Sequence, residues 1–574
     1  MKNEIMEHAR EWIHENFDPA TTSQLQQWIN GNEEQLIQSA FEDYLIIGYD
    51  GWRKPYGPGL SNFNNFSVGR ITQALINYLR KQYPNEKIKI ALAYDGRQNS
   101  NLYAQGVAKV ISGNDHVAYY FPTKIPLSML SFFIREKRCK AGIMITASED
   151  TKEMNGLKLY GHNGAQLNSA QLQEIIKDAK NIRHPADIPK KDNCGLIRFV
   201  PEEYEERFIN IAVDTCHLEA EEPKNIRIVY SPLHGNGADF IPEVLERAGF
   251  KNVFQVAAQS DADENFATVS GNPSPDNLEV FRLSLDVARK EDADIIFVTD
   301  PDCDKLGIAC KNRSGEFEAL TSEEVAILLW DYLLASNKKL PENCYVIKSI
   351  MASPILNKIA GNYGVTCLET APEFSSVIAE LNKQEALGEK NFVAAADINM
   401  SILLTDKLRD KDAVTTIAVL ASMTNALHNK GITLLQKLNE LYCLHGYYYE
   451  RNFSIEVESQ GEAARKNIFE KMLQNPPQSL SYLPLDSLQN YATNISTTFK
   501  TGHQKPFTDL YAELISFQFN SGKIFVYPSS SKKELQCSIH IWRAPVTHLF
   551  NAKVICARKA SLIVRALKEY PYHV

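Results

Sequence analysis

The sequence predicts a multidomain α/β protein: three α/β domains on mixed or mostly parallel sheets, then a smaller C-terminal α+β domain. Three observations support this class: short apolar runs rich in β-branched residues, amphipathic stretches between them, and a change of pattern near the end of the chain. A chain of 574 residues is also several times the usual size of one domain.

The predicted strands are apolar runs that are bounded by turn residues and too short for buried helices. They lie at 88–95, 116–121, 141–148, 226–232, 293–300 and 344–350. Between strands, residues 67–83 and 322–336 place apolar side chains at helical spacing. Residues 514–542 instead resemble neighbouring strands joined by turns and followed by a helix. We expect domains over residues 1–205, 206–320, 321–450 and 451–574.

Composition excludes several classes of protein. The net charge is −9, and no dense Lys/Arg block with interleaved aromatic residues outlines a nucleic-acid site. No signal-like start and no apolar stretch of about 18 residues is present, so we expect no membrane partner. The 10 cysteines are scattered without a CxxC pair, which is typical of reduced thiols in a cytoplasmic protein.

The segment TDPDCDKLG at 299–307 carries the clearest chemical signal. It follows an apolar strand and places Asp300, Asp302 and Asp304 at alternate positions. A turn at a strand end can direct three carboxylates to one point, and such hard oxygen ligands suit Mg²⁺. A solvated acidic turn is the alternative interpretation.

Three further segments are candidates for binding or catalysis. Ser148 ends the apolar run 141–148, where α/β proteins gather ligands, although a helix cap would use the same residue type. Arg53 lies in the Gly-rich segment 48–59, which suits either an anion or a flexible linker. The segment YPSSSKKE could hold a phosphate or form an exposed hairpin turn, and its candidate ligands are Ser529, Ser530, Ser531, Lys532 and Lys533.

Together these motifs resemble those of the α-D-phosphohexomutase superfamily, of the phosphoglucomutase/phosphomannomutase type. GYDGWRKPYGPG is similar to the family's opening Gly-Arg loop, AYDGRQNS to its YDxRxxS turn, and TASEDTKEMNGLKLY to its phosphoserine loop. YSPLHGNG, SGNPSPD and DPDCDKLG follow in the family's order, and the match is dense between about residues 45 and 335.

The resemblance implies four domains around a central cleft and a phosphoserine mechanism. Phosphorylated Ser148 gives its phosphoryl group to a hexose phosphate, the sugar bisphosphate turns end for end, and Ser148 takes the other phosphate back. It implies a Mg²⁺ ion on Ser148, Asp300, Asp302 and Asp304, and charge stabilisation by Arg53, Lys152 and Lys305. The implied partners are a phosphosugar and its bisphosphate; the sequence leaves the oligomeric state open.

Several positions depart from the family pattern. Glu149, Asp150 and Thr151 replace the usual His, Asn and Pro after the serine, and Lys305 replaces an Arg. In the third domain the family's Gly-Phe-Lys corresponds to Glu373-Phe374-Ser375, and its paired glutamates correspond to Asp397-Ile398, where Asp397 is the candidate sugar ligand. In the fourth domain Tyr527 replaces the Arg of the phosphate loop.

These departures leave three hypotheses. The first is an active mutase with altered substrate choice. The second is a catalytically weak or inactive paralogue that binds a phosphosugar or a protein partner. The third, a metal-dependent phosphatase or phosphotransferase, explains the aspartates but leaves Ser148 and the order of the motifs unexplained.

Overall fold

The computed structural model of the chain describes residues 2–14, 19–42, 45–48, 51–216, 223–336, 340–389, 391–456, 461–528, 534–545 and 549–570. The chain divides into two compact units. The first contains Met1–Ala319 and Leu403–Asn425, and the second contains Leu320–Ile402 and Ala426–Val574. Within the described ranges, no helix combines the length and the apolar character that crossing a membrane requires.

The first sheet has six strands in the order β1-β5-β4-β2-β3-β6. Strands β4, β2, β3 and β6 are parallel, whereas β5 runs antiparallel to both β4 and β1. Its strands are β1 Trp52–Pro55, β2 Lys89–Tyr94, β3 Val117–Tyr120, β4 Ala141–Ile145, β5 Met154–Gly161 and β6 Ile197–Phe199. The helices of this part are α1 Lys2–His14, α2 Pro19–Asn30, α3 Glu34–Phe41, α4 Asn65–Gln82, α5 Ser100–Gly113, α6 Leu127–Glu136, α7 Ser169–Ala179 and α8 Glu203–Cys216.

The N-terminal helices share one core with the first sheet. Trp12 of α1 packs edge-to-face on Phe41 of α3 and Phe66 of α4, with ring centroids 5.2 and 5.6 Å apart. Helix α4 begins where Asn64 and Ser67 form a reciprocal capping box, which satisfies backbone donors that the first turn leaves unpaired.

The second sheet has five strands in the order β11-β10-β9-β7-β8. Strands β9, β7 and β8 are parallel, and β10 and β11 extend the sheet as antiparallel strands. The elements are β7 Ile228–Ser231, α9 Phe240–Arg247, β8 Val253–Gln255, α10 Arg282–Lys290, β9 Ile295–Thr299, β10 Leu306–Lys311 and β11 Phe317–Ala319. Short 3₁₀ turns occupy Pro185–Asp187, Ala257–Gln259 and Leu278–Phe281.

The third sheet has four strands in the order β13-β12-β14-β15, with β13, β12 and β14 parallel. Its elements are α11 Ser322–Ser336, β12 Tyr345–Ser349, α12 Ile355–Asn362, β13 Thr366–Thr370, α13 Phe374–Ala386, β14 Phe392–Ala396, β15 Ile402–Leu403, α14 Ala413–Asn429 and α15 Leu434–His445. The parallel strands of the three sheets are joined through helices, and the central strands β2, β4, β7, β9 and β12 are largely buried, as the sequence pattern predicts.

The C-terminal part is an antiparallel α+β fold. Its main sheet has seven strands in the order β16-β24-β23-β22-β19-β20-β21, and β17 and β18 form a separate hairpin. The elements are β16 Tyr447–Glu456, α16 Gly461–Gln474, β17 Ser479–Leu480, β18 Leu483–Pro484, β19 Ser487–Asn490, β20 Ile495–Thr498, β21 Gln504–Pro506, β22 Ile515–Phe519, β23 Gly522–Pro528, β24 Glu534–Arg543 and α17 Leu549–Glu569. The predicted fold class, three α/β parts and one α+β part, is confirmed.

Candidate active site

Ser148 lies just beyond the end of β4 in a strained backbone conformation. Its φ is +52°, a left-handed value that costs a residue with a side chain about 1–3 kcal/mol. Its amide donates to the Thr146 hydroxyl at 2.8 Å, which stabilises the turn locally. The strand end and this turn hold the serine hydroxyl in one place, where the buried side chain is only 1% exposed.

Arg97 holds the loop that follows Ser148. Its guanidinium donates to four backbone carbonyls of the loop: those of Ser148 and Asp150 at 2.6 Å, Thr151 at 2.8 Å and Met154 at 3.2 Å. Asp95 pairs with the guanidinium on the other side at 3.1 Å. The fork geometry of arginine allows one buried side chain to fix several carbonyl groups at once.

The acid loop, residues 299–305, follows β9 in the second sheet. The amides of Asp304 and Lys305 both donate to Oδ1 of Asp300, at 3.1 and 2.9 Å. Cys303 takes a left-handed φ of +56°, which turns the backbone between Asp302 and Asp304. All three aspartates are at most 1% exposed, and one oxygen of each lies within 4.8 Å of the others.

The Ser148 hydroxyl contacts this loop directly. It donates to Oδ2 of Asp300 at 3.2 Å or to Oδ1 of Asp302 at 3.0 Å. Ser148 follows β4 of the first sheet, and Asp300 follows β9 of the second sheet. Their contact, across 152 positions of the chain, therefore brings the strand ends of the two sheets together. The serine and the acids form one site, as expected for strand ends in α/β proteins.

Each aspartate has one oxygen that is held by backbone amides or by a lysine ammonium. The Asp300 Oδ1 atom accepts from backbone amides, and Oδ2 of Asp302 accepts from the Lys158 ammonium at 2.7 Å. Oδ2 of Asp304 lies between Lys158 at 3.1 Å and Lys411 at 3.3 Å. The remaining oxygens, Oδ2 of Asp300, Oδ1 of Asp302 and Oδ1 of Asp304, are the inner oxygens of the cluster.

The segment that carries Lys411 is itself anchored in the first unit. Asp410 accepts from the Tyr160 hydroxyl at 2.8 Å and from the Gln166 amide at 3.0 Å. Asp412 accepts from the Ser128 hydroxyl at 2.6 Å and caps the start of α14 through its neighbours' amides. The backbone on both sides of Lys411 is therefore fixed, and it holds the Lys411 ammonium beside Asp304.

The inner oxygens suit a divalent cation. Burial and the charges of Asp302 and Asp304 raise the pKa of Asp300 well above its usual range, because three carboxylates so close together repel one another. Burial also opposes ionisation of Asp302, but Lys158 outweighs it and holds its pKa well below the usual range. Oδ1 of Asp304 is buried without a hydrogen-bond partner among the described residues. A hard cation would give that oxygen a partner and would neutralise the repulsion among the three carboxylates.

Glu149, which follows the serine, is neutralised by Lys305. The two side chains form an ion pair of 3.1 Å, and the Ser274 hydroxyl donates to Glu149 at 2.9 Å. Burial opposes ionisation of Glu149, but Lys305 and Arg53 outweigh it and lower its pKa to about 2. Arg53 lies 3.7 Å from Asp150 and reaches the same loop. The negative charge introduced beside Ser148 is thus balanced by two cations.

The structure brings only some of the predicted site residues together. Ser148, the three aspartates, Lys305 and Arg53 meet in the first unit, whereas Lys152 of the serine loop is exposed to solvent. Asp397 belongs to the second unit, where it accepts a hydrogen bond from Ser349 at the end of β12. The predicted phosphate ligands Ser529, Ser530, Ser531, Lys532 and Lys533 lie outside the described residues.

Sequence reasoning missed three residues of this site. Lys158 lies on β5, where every neighbour is buried, and a lysine inside such a strand signals a buried partner. Lys411 belongs to RDKD at 409–412, a charged run directly before the apolar helix α14. Arg97 belongs to a quoted motif, but nothing in the sequence indicates that it binds the backbone of the serine loop.

Comparison with known proteins agrees with the fold. The chain matches phosphoglucomutase/phosphomannomutase, alpha/beta/alpha domain I over residues 45–186, domain II over 202–315 and domain III over 321–443. A phosphoglucomutase of Staphylococcus haemolyticus is 28% identical over 531 residues, which cover 89% of this chain and 94% of the relative. A phosphoglucomutase of Staphylococcus epidermidis is 26% identical over 92% of this chain and 96% of the relative.

Solved structures share the fold at low identity. A phosphoglucomutase/phosphomannomutase family protein from Burkholderia thailandensis has a TM-score of 0.65 at 14% identity, covering 92% of this chain and 98% of that one. The Paramecium phosphoprotein parafusin, a phosphoglucomutase, has a TM-score of 0.66 at 15% identity, covering 92% and 95%. The fold and the site together define an enzyme that transfers phosphoryl groups on phosphosugars. The chain belongs to the α-D-phosphohexomutase superfamily, of the phosphoglucomutase/phosphomannomutase type.

Proposed function

We propose that this phosphohexomutase is active and carries the phosphoryl group on Ser148 while it moves phosphate between hydroxyls of a hexose phosphate. One observation carries the proposal: the Ser148 hydroxyl lies 3.0 and 3.2 Å from two of three buried aspartates that suit a cation. An inactive protein has no need to keep a strained serine against repelling carboxylates. No feature of the site favours the inactive alternative.

The transfer balances without another reactant. The bond between phosphorus and the Ser148 oxygen breaks while a bond from phosphorus to a sugar hydroxyl forms, and the hydroxyl proton ends on the serine. The resulting bisphosphate reverses its orientation, and the same exchange returns a phosphoryl group to Ser148. Because such transfers depend on in-line positioning and charge neutralisation, the fixed position of Ser148 is its main contribution.

Several cationic residues support the charge of the transferred group. Burial opposes the protonated form of Lys158, but Asp302 and Asp304 outweigh it and raise its pKa, so its ammonium stays charged and orients both acids. Arg53 reaches the serine loop from β1. We assign Mg²⁺ to the inner oxygens of the aspartates and to Ser148; when bound, it supplies positive charge to the transferring phosphoryl oxygens.

The substrate ligands in our proposal are those that the family resemblance implies. In our proposal Asp397 binds a sugar hydroxyl, and the hydroxyls and lysines of 529–533 bind phosphate. The substrates are a phosphosugar and its bisphosphate, in agreement with relatives named phosphoglucomutases that match along nearly their whole length. We retain the four-domain division of the sequence analysis and a cytoplasmic location as parts of the same proposal.

Intact-mass spectrometry tests the proposal. After incubation with a hexose 1,6-bisphosphate and Mg²⁺, the wild-type chain should gain the mass of one phosphoryl group, and peptide mapping should place it on Ser148. Ser148→Ala should show no gain and no mutase activity. Ser169→Ala, at an exposed serine at the start of α7, is the matched control that should still be phosphorylated. An unmodified wild-type mass with full turnover would reject the phosphoserine.

A further inference from the structure

The glycine loop, residues 232–237, joins β7 to α9 and takes no part in the proposed chemistry of Ser148. Its residues Leu233 and His234 both have left-handed φ values, +48° and +64°. The ring nitrogens of His234 contact the Asp261 carbonyl at 2.7 Å and the Thr268 hydroxyl at 2.8 Å, which holds this conformation in place. Strained backbone that its surroundings hold so firmly is concentrated at sites where geometry matters.

The glycine loop packs directly on the acid loop. A Cβ atom on Gly235 would lie 2.6 Å from the Cα atom of Pro301, and one on Gly237 would lie 2.8 Å from the sulfur of Cys303. Both positions therefore require glycine, because any side chain would push the two loops apart. The backbone amide of Asn236 donates to the Pro301 carbonyl at 2.8 Å. The glycine loop thus fixes the acid loop between two of its aspartates.

The side chain of Asn236 reaches from the glycine loop to the first sheet. Its amide nitrogen donates to the carbonyl of Ile125, just before α6, at 2.8 Å and to the carbonyl of Tyr94, at the end of β2, at 3.3 Å. The side chain is 2% exposed, and among the described residues its Oδ1 atom has no hydrogen-bond partner. Because a buried acceptor without a partner costs free energy, this side chain contributes through its two N–H groups.

The start of α6 continues the connection toward the reacting groups. Leu127, the first residue of α6, has an amide that the helix itself cannot pair, and this amide donates to the backbone carbonyl of Asp302 at 2.9 Å. The Asp302 carboxylate in turn accepts from the Ser148 hydroxyl at 3.0 Å. Asn236 holds the carbonyl two positions before Leu127, so it is linked through the backbone to the contact between the serine and the aspartate.

We propose that Asn236 is a positioning residue, which sets the distance between the Ser148 hydroxyl and the Asp302 carboxylate by holding the first sheet to the acid loop. Asn236 touches neither of these groups itself, and its backbone and its side chain bind opposite sides of the junction. The inference rests on the proposed function for the identity of the reacting serine. In-line transfer is sensitive to small displacements, so loss of this bridge should slow the transfer more than it weakens substrate binding.

A double-mutant cycle on Mn²⁺ binding by the full-length chain, read by electron paramagnetic resonance, tests the position without turnover. Ser148→Ala should weaken Mn²⁺ binding several-fold in the wild-type background but by less than about twofold in the Asn236→Ala background, because the serine is then displaced from the ion. Asn236→Ser keeps one donor, and its cycle should give an intermediate result. A purely structural role would lower stability but leave the effect of Ser148→Ala unchanged. Equal effects of Ser148→Ala in all backgrounds would overturn the inference.

Steady-state kinetics provide the second measurement. Asn236→Ala should lower kcat at least about tenfold and leave KM within about twofold of wild type. Gln255→Ala is the matched control, because it removes an amide that donates to the Ala238 carbonyl at 2.9 Å within the second sheet alone, and it should change neither constant. A raised KM with wild-type kcat would contradict a positioning role. If mass spectrometry finds no phosphate on Ser148, the proposed function fails, and the Mn²⁺ cycle still decides the role of Asn236.

Discussion

The Arg97 guanidinium donates to the backbone carbonyl of Ser148 at 2.6 Å and thereby fixes the backbone of that residue. The same guanidinium reaches three more carbonyls of the loop, so it acts on the backbone rather than on the reacting atoms. Arg97 is a positioning residue, because it holds the loop in the left-handed conformation that strains Ser148.

We predict that Arg97→Lys lowers kcat/KM by about 100-fold, because a lysine cannot fork across four carbonyls and small misplacements are costly in transfer reactions. Hydrogen exchange at residues 148–154 should accelerate in the same variant. Arg198→Lys, on the edge strand β6, is the matched control and should leave both quantities unchanged. Unchanged exchange in the loop of Arg97→Lys would contradict a positioning role.

We predict that Asp304→Asn weakens Mn²⁺ binding at least about tenfold, a loss of about 1.4 kcal/mol, because it removes the charge of an inner oxygen that lacks another partner among the described residues. The measurement is the free Mn²⁺ signal in electron paramagnetic resonance, which requires no turnover. Asp286→Asn on α10 removes an exposed aspartate of the same domain and should bind Mn²⁺ like the wild type. Equal Mn²⁺ affinities in both variants would show that the cation does not bind at Asp304.

The ion pair of Glu149 and Lys305 gives a double-mutant prediction. Glu149→Gln leaves a largely buried ammonium without its charge partner, and we expect a loss of about 3 kcal/mol in unfolding free energy. Lys305→Met should cost a similar amount, whereas the double variant should recover part of the loss because no lone charge remains. Denaturation midpoints at fixed protein concentration measure the cycle; purely additive losses would show that the two residues are not coupled.

The pKa of Glu149 sets the pH range in which its ion pair with Lys305 stabilises the fold. Since the pKa of Glu149 is lowered to about 2, its contribution is present above the ordinary glutamate value of 4.5 and is lost as pH falls toward 2. We therefore expect the wild-type advantage over Glu149→Gln to be constant from pH 6 to 8. An advantage that changed within that window would show that another group controls it.

Substitution of Lys523 should stabilise the protein, in contrast to the substitutions of Glu149 and Lys305. Its pKa is about 8 in the fold, against 10.5 for a lysine in solvent, so the charged form is disfavoured in the folded chain. Lys523→Met should stabilise the protein at pH 7, on the order of 1–2 kcal/mol after screening by solvent is allowed for. The gain should shrink as pH rises from 8 to 10.5, and thermal midpoints at several pH values provide the measurement. Destabilisation at pH 7 would mean that Lys523 has a structural partner.

We predict slow turnover of glucose 1-phosphate. Asp397-Ile398, Ser375 and Tyr527 stand where the family resemblance places charged groups for the sugar and the distal phosphate, and each lost charged contact costs about 1–3 kcal/mol. A panel of hexose and pentose 1-phosphates with Mg²⁺ and a bisphosphate activator measures kcat/KM. Preference for one other sugar would support altered specificity, and silence on all would support the inactive paralogue. Rapid turnover of glucose 1-phosphate would contradict the prediction.

The sequence predicts local features well because short runs of residues specify the strands and the residues at their ends. The strand at 141–148 and its terminal Ser148, and the strand at 293–300 with the aspartates behind it, are examples. Glu373 is a subtler case: it takes a φ of +76°, a conformation that suits the glycine of the family motif, although the residue is glutamate.

Long-range partners could not be predicted in the same way. Lys158 and Lys411 converge on one oxygen of Asp304 from segments separated by 253 positions, and neither has a local pattern that specifies its partner. The balance of Glu149 by Lys305 is also invisible in the sequence, where each departure from the family looks harmful by itself. Only three-dimensional packing shows that the charge of Lys305 balances that of Glu149.

The position of residues 403–425 within the first unit has a consequence for synthesis of the chain. A ribosome that has released residues 1–319 has made every strand of the first two sheets, yet Lys411 and the anchors around it have not emerged. Until they do, Asp304 has not met Lys411, and the Tyr160 and Ser128 hydroxyls have not met Asp410 and Asp412. The first unit is therefore completed late in translation, and we expect a gene fragment encoding only residues 1–319 to yield an incompletely folded product.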